Sequence, residues 1–251
     1  MTVFICEHNW EAMLSCIYDA WSSKLGHANI RLTTQEPEQY SLLDEYVTVS
    51  FDRGKAESVM DAVNLKISPQ VYSEIAYAAM SSEEDALDTI YRVLILGFAY
   101  GPNVLKMVSY KDVARFFEIR RSVGNEAHHF IEFVRFHEIR SSLYVAHIEP
   151  KNHIVGALGA HFNDRMPSEN WMIIDDVHKE SIVQPKDEDF YFKKLSDDEF
   201  TRLLCTEEEN DGYTDLWKVF FDSIAISERF NPKLQRNLFP IWKRRHAVEF
   251  K

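Results

Sequence analysis

The segment WMIIDD at residues 171–176 places apolar side chains at four consecutive positions, so as a strand it is hydrophobic on both faces. Such a strand belongs at the centre of a sheet that is covered on each side. The segments around it share its two-residue period. Residues 133–139 and 143–149 read as two strands joined through Arg140, Ser141 and Ser142 in an antiparallel hairpin. Residues 177–183 and 190–192 continue the sheet as a meander, and residues 154–165 supply a short covering helix.

Before this region the period is helical. Asn9 is a cap for a helix over residues 10–21, with Trp10, Met13, Leu14, Ile17 and Trp21 at helical spacing. Asp52 precedes a helix over 53–65, and Ser68-Pro69 is a cap followed by proline at the first helical position. Ser81 or Ser82 opens a helix that Tyr100-Gly101-Pro102 ends near residue 99. A further helix covers 109–130. Residues 22–39 read as loop or short strand, and residues 45–50 as a strand. At the other end, Thr214 or Asp215 reopens helix, and Asn231-Pro232 begins a last helix that ends near Arg245. The fold class is therefore α+β: a helical N-terminal half, a mostly antiparallel central sheet with a covering helix, and a helical C-terminus. One domain over 1–251 is expected, with a helical subregion 1–120 and a sheet-containing subregion 121–251.

Seven of the ten histidines fall between His128 and His178, among Arg135, Arg165, Asp175 and Asp176. Histidine titrates nearest neutrality and ligates metals, so this stretch is the candidate site. His128 and His161 are its candidate acid–base groups, with Asp175 to orient an imidazole. On the helix over 154–165, Ile154, Leu158, His161 and Arg165 share a face; the last two either complement the helix dipole or line a pocket for an anion. Arg121 flanks the apolar face of the preceding helix. On that face, Arg120 is a structural tie to a core carboxylate, and Gly124 marks a close approach. Arg135, among aromatics on the first hairpin strand, either stacks a base or carries a phosphate, or is an exposed cross-strand charge. Arg121, Arg135, Arg165 and Trp171 are the candidate substrate-binding residues.

Glu126, His128, His129, His161, His178, Asp175 and Asp176 could supply metal ligands. With no HExxH, the reading favours an anion pocket over a metal centre, and His137, His147 and His153 are taken as incidental. No GxSxG, Walker-type or GxGxxG sequence is present. No cofactor is specified.

A net charge of −12 argues against wholesale attraction to nucleic acid. Charge is unevenly distributed, however: residues 180–215 are acid-rich, whereas 229–251 hold seven Lys/Arg against one Glu. In that last segment Arg236, Lys243, Arg244 and Arg245 interleave with aromatics, a pattern suited to tracking single-stranded nucleic acid and equally to an amphipathic helix pair. The acid-rich run reads as a solvated face or as a surface for a basic partner. Three cysteines without CxxC spacing, no secretory signal and no membrane-length apolar run lead to the expectation of a cytoplasmic protein.

Taken together, FICEHNWEAMLSCIYDAW, SVGNEAHHFIEFVRF, IEPKNHIVGALGAHFNDRMPSENWMIIDD and DLWKVFFDSIAISERFNPKLQRNLFPIWKR resemble a bacterial family described as DNA metabolism or DNA repair proteins. The motif positions are Glu126, His128, Arg135, Phe136, His161, Phe162, Arg165, Trp171 and Asp175, with His129 where the family pattern has arginine. That family resembles a domain fused to some uracil-DNA-glycosylase-like proteins, and its members neighbour radical-SAM proteins similar to spore photoproduct lyase. The resemblance implies an accessory role in DNA metabolism, binding DNA or a radical-SAM partner enzyme through the His/Arg cluster. The alternative is a hydrolase or lyase, metal-assisted or not, acting on a nucleotide or damaged base.

Overall fold

A computed structural model describes residues 1–37, 39–139, 142–196, 198–199, 201, 216, 219–220, 223–224 and 231–247. The chain forms two compact units, Met1–Gly124 and Asn125–Lys251. The helix start expected at Thr214 or Asp215, and residues 202–215 of the acid-rich run with Cys205 among them, lie outside the described residues, while 216, 219–220 and 223–224 are helical as expected.

The N-terminal unit is more than helical. Strands β1 (Thr2–Cys6), β2 (Ile30–Thr33) and β3 (Glu45–Val49) form a parallel sheet in the order β2-β1-β3. β1 went unassigned in the sequence because it is five residues long and buried throughout, so it shows no alternation. Parallel partners need a crossover, and α1 (Trp10–Ser22) supplies the one between β1 and β2.

The helical caps are local chemistry. The side chains of Asn9, Asp52 and Ser68 accept the amides of Ala12, Lys55 and Val71 at the starts of α1, α2 (Arg53–Lys66) and α3 (Pro69–Ala78). Met13, Ile17, Leu32, Val63, Ile75, Leu94 and Phe116 meet in the core. Arg120 is the tie expected of it: its Nε donates to Glu74 at 2.6 Å while its guanidinium lies 5.0 Å from the Tyr77 ring centroid.

α4 (Ala86–Tyr100) starts later than Ser81 or Ser82 would place it, with Asp85 as its N-cap residue. The Asp85 carboxylate makes no cap bond because both of its oxygens accept from Arg115, each at 2.8 Å. Arg115 stands on α5 (Lys111–Phe133). Gly101 closes α4 at φ +63, a left-handed conformation that a side chain would strain.

The hydrogen bond from Arg115 holds the Asp85 carboxyl below its usual range, overcoming a smaller opposing effect of burial. A depressed folded pKa contributes stability above the unfolded carboxyl value that is lost as pH falls through the folded one. Acid titration of unfolding should therefore show a steeper loss below about pH 4 in the parent than in Arg115→Gln. Superimposable acid limbs would remove this assignment.

The C-terminal unit holds a five-stranded sheet in the order β4-β5-β6-β7-β8. The strands are β4 (His137–Ile139), β5 (Leu143–Ile148), β6 (Asn170–Asp175), β7 (Glu180–Gln184) and β8 (Tyr191–Lys194). Three of the four pairings are antiparallel, and only β5–β6 is parallel, linked through α6 (Val155–Arg165). β6 is the middle strand, as its two apolar faces require. Trp171 and Ile173 face α6, with Ile182 and Gln184 of β7 on the same side by register. Met172 and Ile174 pack on the other face with Ile139, Val145 and Leu195. Gly159 lets α6 lie close to the sheet, since a Cβ there would meet Ile182 Cδ1 at 2.8 Å and Phe190 Cε2 at 2.9 Å.

Two sequence expectations need correcting here. Residues 133–136 are not strand: α5 continues to Phe133, and only His137–Ile139 pairs with β5. Phe130 and Phe133 extend the helical face, with the Phe133 ring stacked on Phe239 at 3.7 Å, and this packing outweighs the local alternation. Likewise the last helix does not reach Arg245. α7 (Pro232–Leu238) stops at Phe239, which the following Pro240 forces to an extended conformation, and a short 3-10 turn takes over at Ile241–Arg244.

Candidate functional site

The β5–α6–β6 crossover brings the carboxyl ends of two parallel strands side by side. Ligand sites in α/β units gather at such ends, because the connecting loops there are free to carry chemistry. β5 runs out into Glu149, and β6 into Asp175 and Asp176. The Asp176 amide donates to the Ile148 carbonyl at 2.9 Å, which fixes both ends in register. Consecutive side chains alternate across a sheet, so the two aspartates head two separate clusters.

On the α6 side, Asp175 is fully buried. Its Oδ1 accepts the amides of Val177 and His178 at 2.9 and 3.0 Å, closing the turn into β7. Its Oδ2 bonds His178 Nδ1 at 2.6 Å. The His178 ring lies 3.8 Å from that of His153, whose Nδ1 is 3.3 Å from both oxygens of Glu180. Burial disfavours the charged His178 imidazole, but the Asp175 bond and the charges of Asp175, Glu180 and Glu126 outweigh it and raise the pKa. Glu126, also buried, organises the loop that leads into α6. It accepts the amides of Lys151 and Asn152 at 2.9 and 3.0 Å and the Asn152 side chain at 2.6 Å.

On the opposite side, Asp176 Oδ1 bonds His147 Nδ1 at 2.8 Å, leaving Oδ2 facing His246 Nε2 at 3.6 Å. The same His246 nitrogen is 3.2 Å from Glu149, which also takes two 2.6 Å bonds from Arg245. Burial pushes the His246 pKa down against the opposing pull of Asp176 and Glu149, favouring the neutral ring. A small cleft with room for about one water molecule opens here, lined by Phe130, His147, Glu149, Trp242, Lys243 and His246. Lys151 and Lys243 hold their ammonium groups 5.0 and 5.1 Å from the Trp242 ring centroid. Burial lowers the Lys243 pKa, and the neighbouring Lys151 lowers it further.

Of the residues singled out in the sequence, Asp175, Asp176, His178, Glu126 and Lys243 lie at this edge as parts of the two clusters, and Arg245 reaches it through Glu149. The others are elsewhere or otherwise engaged. His128 is largely exposed on α5 and faces Glu132 at 3.3 Å. His161 and Arg165 occupy the C-terminal end of α6. Because α6 runs back along the sheet, that end lies toward the start of β6, a strand length of roughly 17 Å from Asp175. Arg165 is exposed there, and His161 packs edge-on against Phe162. Trp171 is fully buried between Phe136 and Phe162, so its ring is a core element and not a stacking platform. Arg135 donates to the carbonyls of Glu132 and Val134, capping the end of α5. Arg121 is exposed in the N-terminal unit, Arg236 donates to the Pro232 carbonyl on α7, and Arg244 donates to the Phe239 carbonyl. Arg236, Lys243, Arg244 and Arg245 each thus meet a partner within the C-terminal unit.

One histidine or more of each cluster was not among the candidates read from the sequence. His147 and His153, set aside as incidental, are bonded to acids 29 and 27 positions away, and His246 to one 97 away. One signal was present: HIE and IIDD each place carboxylates directly after an apolar strand. Chemically, the edge offers imidazole–carboxylate pairs for proton transfer, two lysines for an anion and an exposed indole for a planar ring.

Among curated proteins, no match to this chain is found. A family described as a domain of unknown function, DUF4130, matches residues 84–249, which take in α4, α5 and every described element of the C-terminal unit. The carboxylate–imidazole edge lies wholly within that match, and the chain belongs to the DUF4130 family.

Proposed function

We propose that this protein is a hydrolase or lyase of nucleic-acid metabolism, acting on a nucleotide or damaged base that docks on the surface beside Asp176, over a cleft too small to enclose it. The observation that carries this reading is the His147–Asp176 pair at 2.8 Å, at the carboxyl end of a parallel strand pair and next to Lys151, Lys243 and Trp242. In it, the lysines neutralise a phosphate, Trp242 packs on the base or sugar, and His147 transfers the proton while Asp176 fixes its tautomer. Positioned acid–base groups contribute about 10²–10⁴-fold to rate. The resemblance given in the sequence analysis is what supports the DNA-repair setting and a radical-SAM partner enzyme.

The experiment is turnover of the purified full chain on single-stranded oligonucleotides bearing uracil, abasic sites or pyrimidine photoproducts, followed on denaturing gels. His147→Gln and Asp176→Asn should each lower the rate about 100-fold or more, with substrate binding retained. Lys243→Ala should mainly raise KM. Turnover that survives both His147→Gln and Asp176→Asn would overturn the assignment.

A second reading rests on the Lys–Trp–Lys arrangement alone, which can hold single-stranded nucleic acid without chemistry. Salt-sensitive binding to undamaged DNA, lost in Trp242→Ala, with no turnover of any substrate, would replace the enzyme with an accessory protein of DNA metabolism.

A further inference from the structure

Glu149, Asp176 and His246 each turn one ligand atom toward a common point, and these three atoms lie within 4.8 Å of one another. The His246 nitrogen is 3.2 Å from Glu149 and 3.6 Å from Asp176. A cation held at about 2.1 Å from each of three ligands needs those ligands roughly 3.0–3.5 Å apart, so small side-chain adjustments close the set. The groups come from three separate segments of the unit: the residue after β5, the residue after β6, and the turn that follows the 3-10 segment near the C-terminus.

Two further features distinguish this group from a chance meeting of acids. First, His147 bonds the distal oxygen of Asp176, so the oxygen that faces His246 is held in place. Partners of this kind, which orient a ligating side chain, accompany metal sites and tune their affinity. Secondly, the site is half-buried at the wall of the cleft, where a three-ligand cation would keep positions open for water or a substrate oxygen.

We infer that Glu149, Asp176 and His246 form a binding site for a first-row divalent transition metal, with His147 as the residue that positions Asp176. One imidazole with two carboxylates suits zinc, manganese, iron(II), cobalt or nickel better than a soft thiophilic ion, and magnesium rarely takes imidazole. The two carboxylates balance the charge of the cation. In its absence Arg245 serves that purpose for Glu149 through its two 2.6 Å bonds, so metal and Arg245 compete for the same carboxylate. The site would supply a Lewis acid and an activated water to the reaction proposed above. It does not depend on that reaction, because it is tested without substrate.

The test is titration of chelator-treated full-length protein with Co²⁺, read by visible absorption, with Zn²⁺ as the competing ion. One equivalent should bind, and Zn²⁺ should displace it. Asp176→Asn and His246→Gln should each weaken binding about 100-fold or more, and His147→Gln about 10-fold, the range for residues that orient ligands. Arg245→Ala, at an exposed side chain whose loss leaves the core intact, should tighten binding about 10-fold. Circular dichroism of each variant keeps loss of fold apart from loss of the site. No saturable Co²⁺ binding by the parent protein would overturn the inference. So would binding that Asp176→Asn and His246→Gln leave unchanged in folded protein, or an Arg245→Ala that weakens it. Metal binding without turnover would leave this site standing and remove the proposed activity; turnover without metal would do the reverse.

Discussion

Replacing Glu126 with alanine should destabilise the C-terminal unit by roughly 3–5 kcal/mol, since each hydrogen bond to a charged group contributes about 1.5–3 kcal/mol. Its carboxylate is buried and takes three hydrogen bonds, two of them from the amides of Lys151 and Asn152. Alanine removes the acceptor that these donors share, and a buried donor that loses its acceptor costs about 1–3 kcal/mol. Glu126→Gln keeps one acceptor oxygen and most of the shape, so it should retain about half of the lost stability. Urea unfolding followed together with amide exchange is the measurement. The amides of Lys151 and Asn152 should lose protection first, since they bond directly to the missing group. A Glu126→Ala protein within about 1 kcal/mol of the parent would show that this loop is held by other means. The acid of the E-x-H motif would then be available for a role in chemistry, which its three bonds now argue against.

Trp171→Ala should cost a further large amount, about 3–5 kcal/mol, as is typical of removing a buried tryptophan. The ring is fully buried, with Phe136 and Phe162 centred 6.3 and 6.2 Å from it. Its indole nitrogen has no hydrogen-bond partner among the described residues. Trp171→Phe therefore removes an unsatisfied donor along with some volume, and should cost less than about 1.5 kcal/mol. Denaturant midpoints of the two variants test this, with single-stranded DNA binding measured in parallel. Were Trp171 a base-stacking residue, alanine would weaken binding by about 1–3 kcal/mol and leave stability alone. The buried ring predicts the converse, with the binding loss falling at Trp242.

The parts of the fold that could be read from sequence are those written within a few residues of one another. Asn9, Asp52 and Ser68-Pro69 announce their helices because a cap and its amide are three positions apart. WMIIDD announces a central strand because both of its faces are apolar. β1 could not be read in this way, since its partners β2 and β3 lie far along the chain and its own burial erases any alternation. The same limit governs the site. His128 and Arg165 drew attention as charged groups at regular spacing, yet both are exposed. His147, His153 and His246 looked ordinary because the acids that give them meaning become neighbours only after the sheet has formed. Asp175 does bond a histidine, but that histidine is His178, on the next turn.

The two apolar faces of β6 have a consequence for specificity of folding. In most half-buried strands, sliding by one residue exposes the hydrophobic set to water, and that penalty enforces alignment. β6 carries Trp171 and Ile173 on one face and Met172 and Ile174 on the other, so greasiness alone barely distinguishes the native pairing from a shifted one. A slip of one position would exchange Asp175 and Asp176 and dismantle both polar clusters together. The bonds of Asp175 to the following turn, and of the Asp176 amide to Ile148, thus act as locating pins for a strand whose bulk is ambivalent. The same few polar atoms that give this edge its chemistry also tell the sheet where to stop.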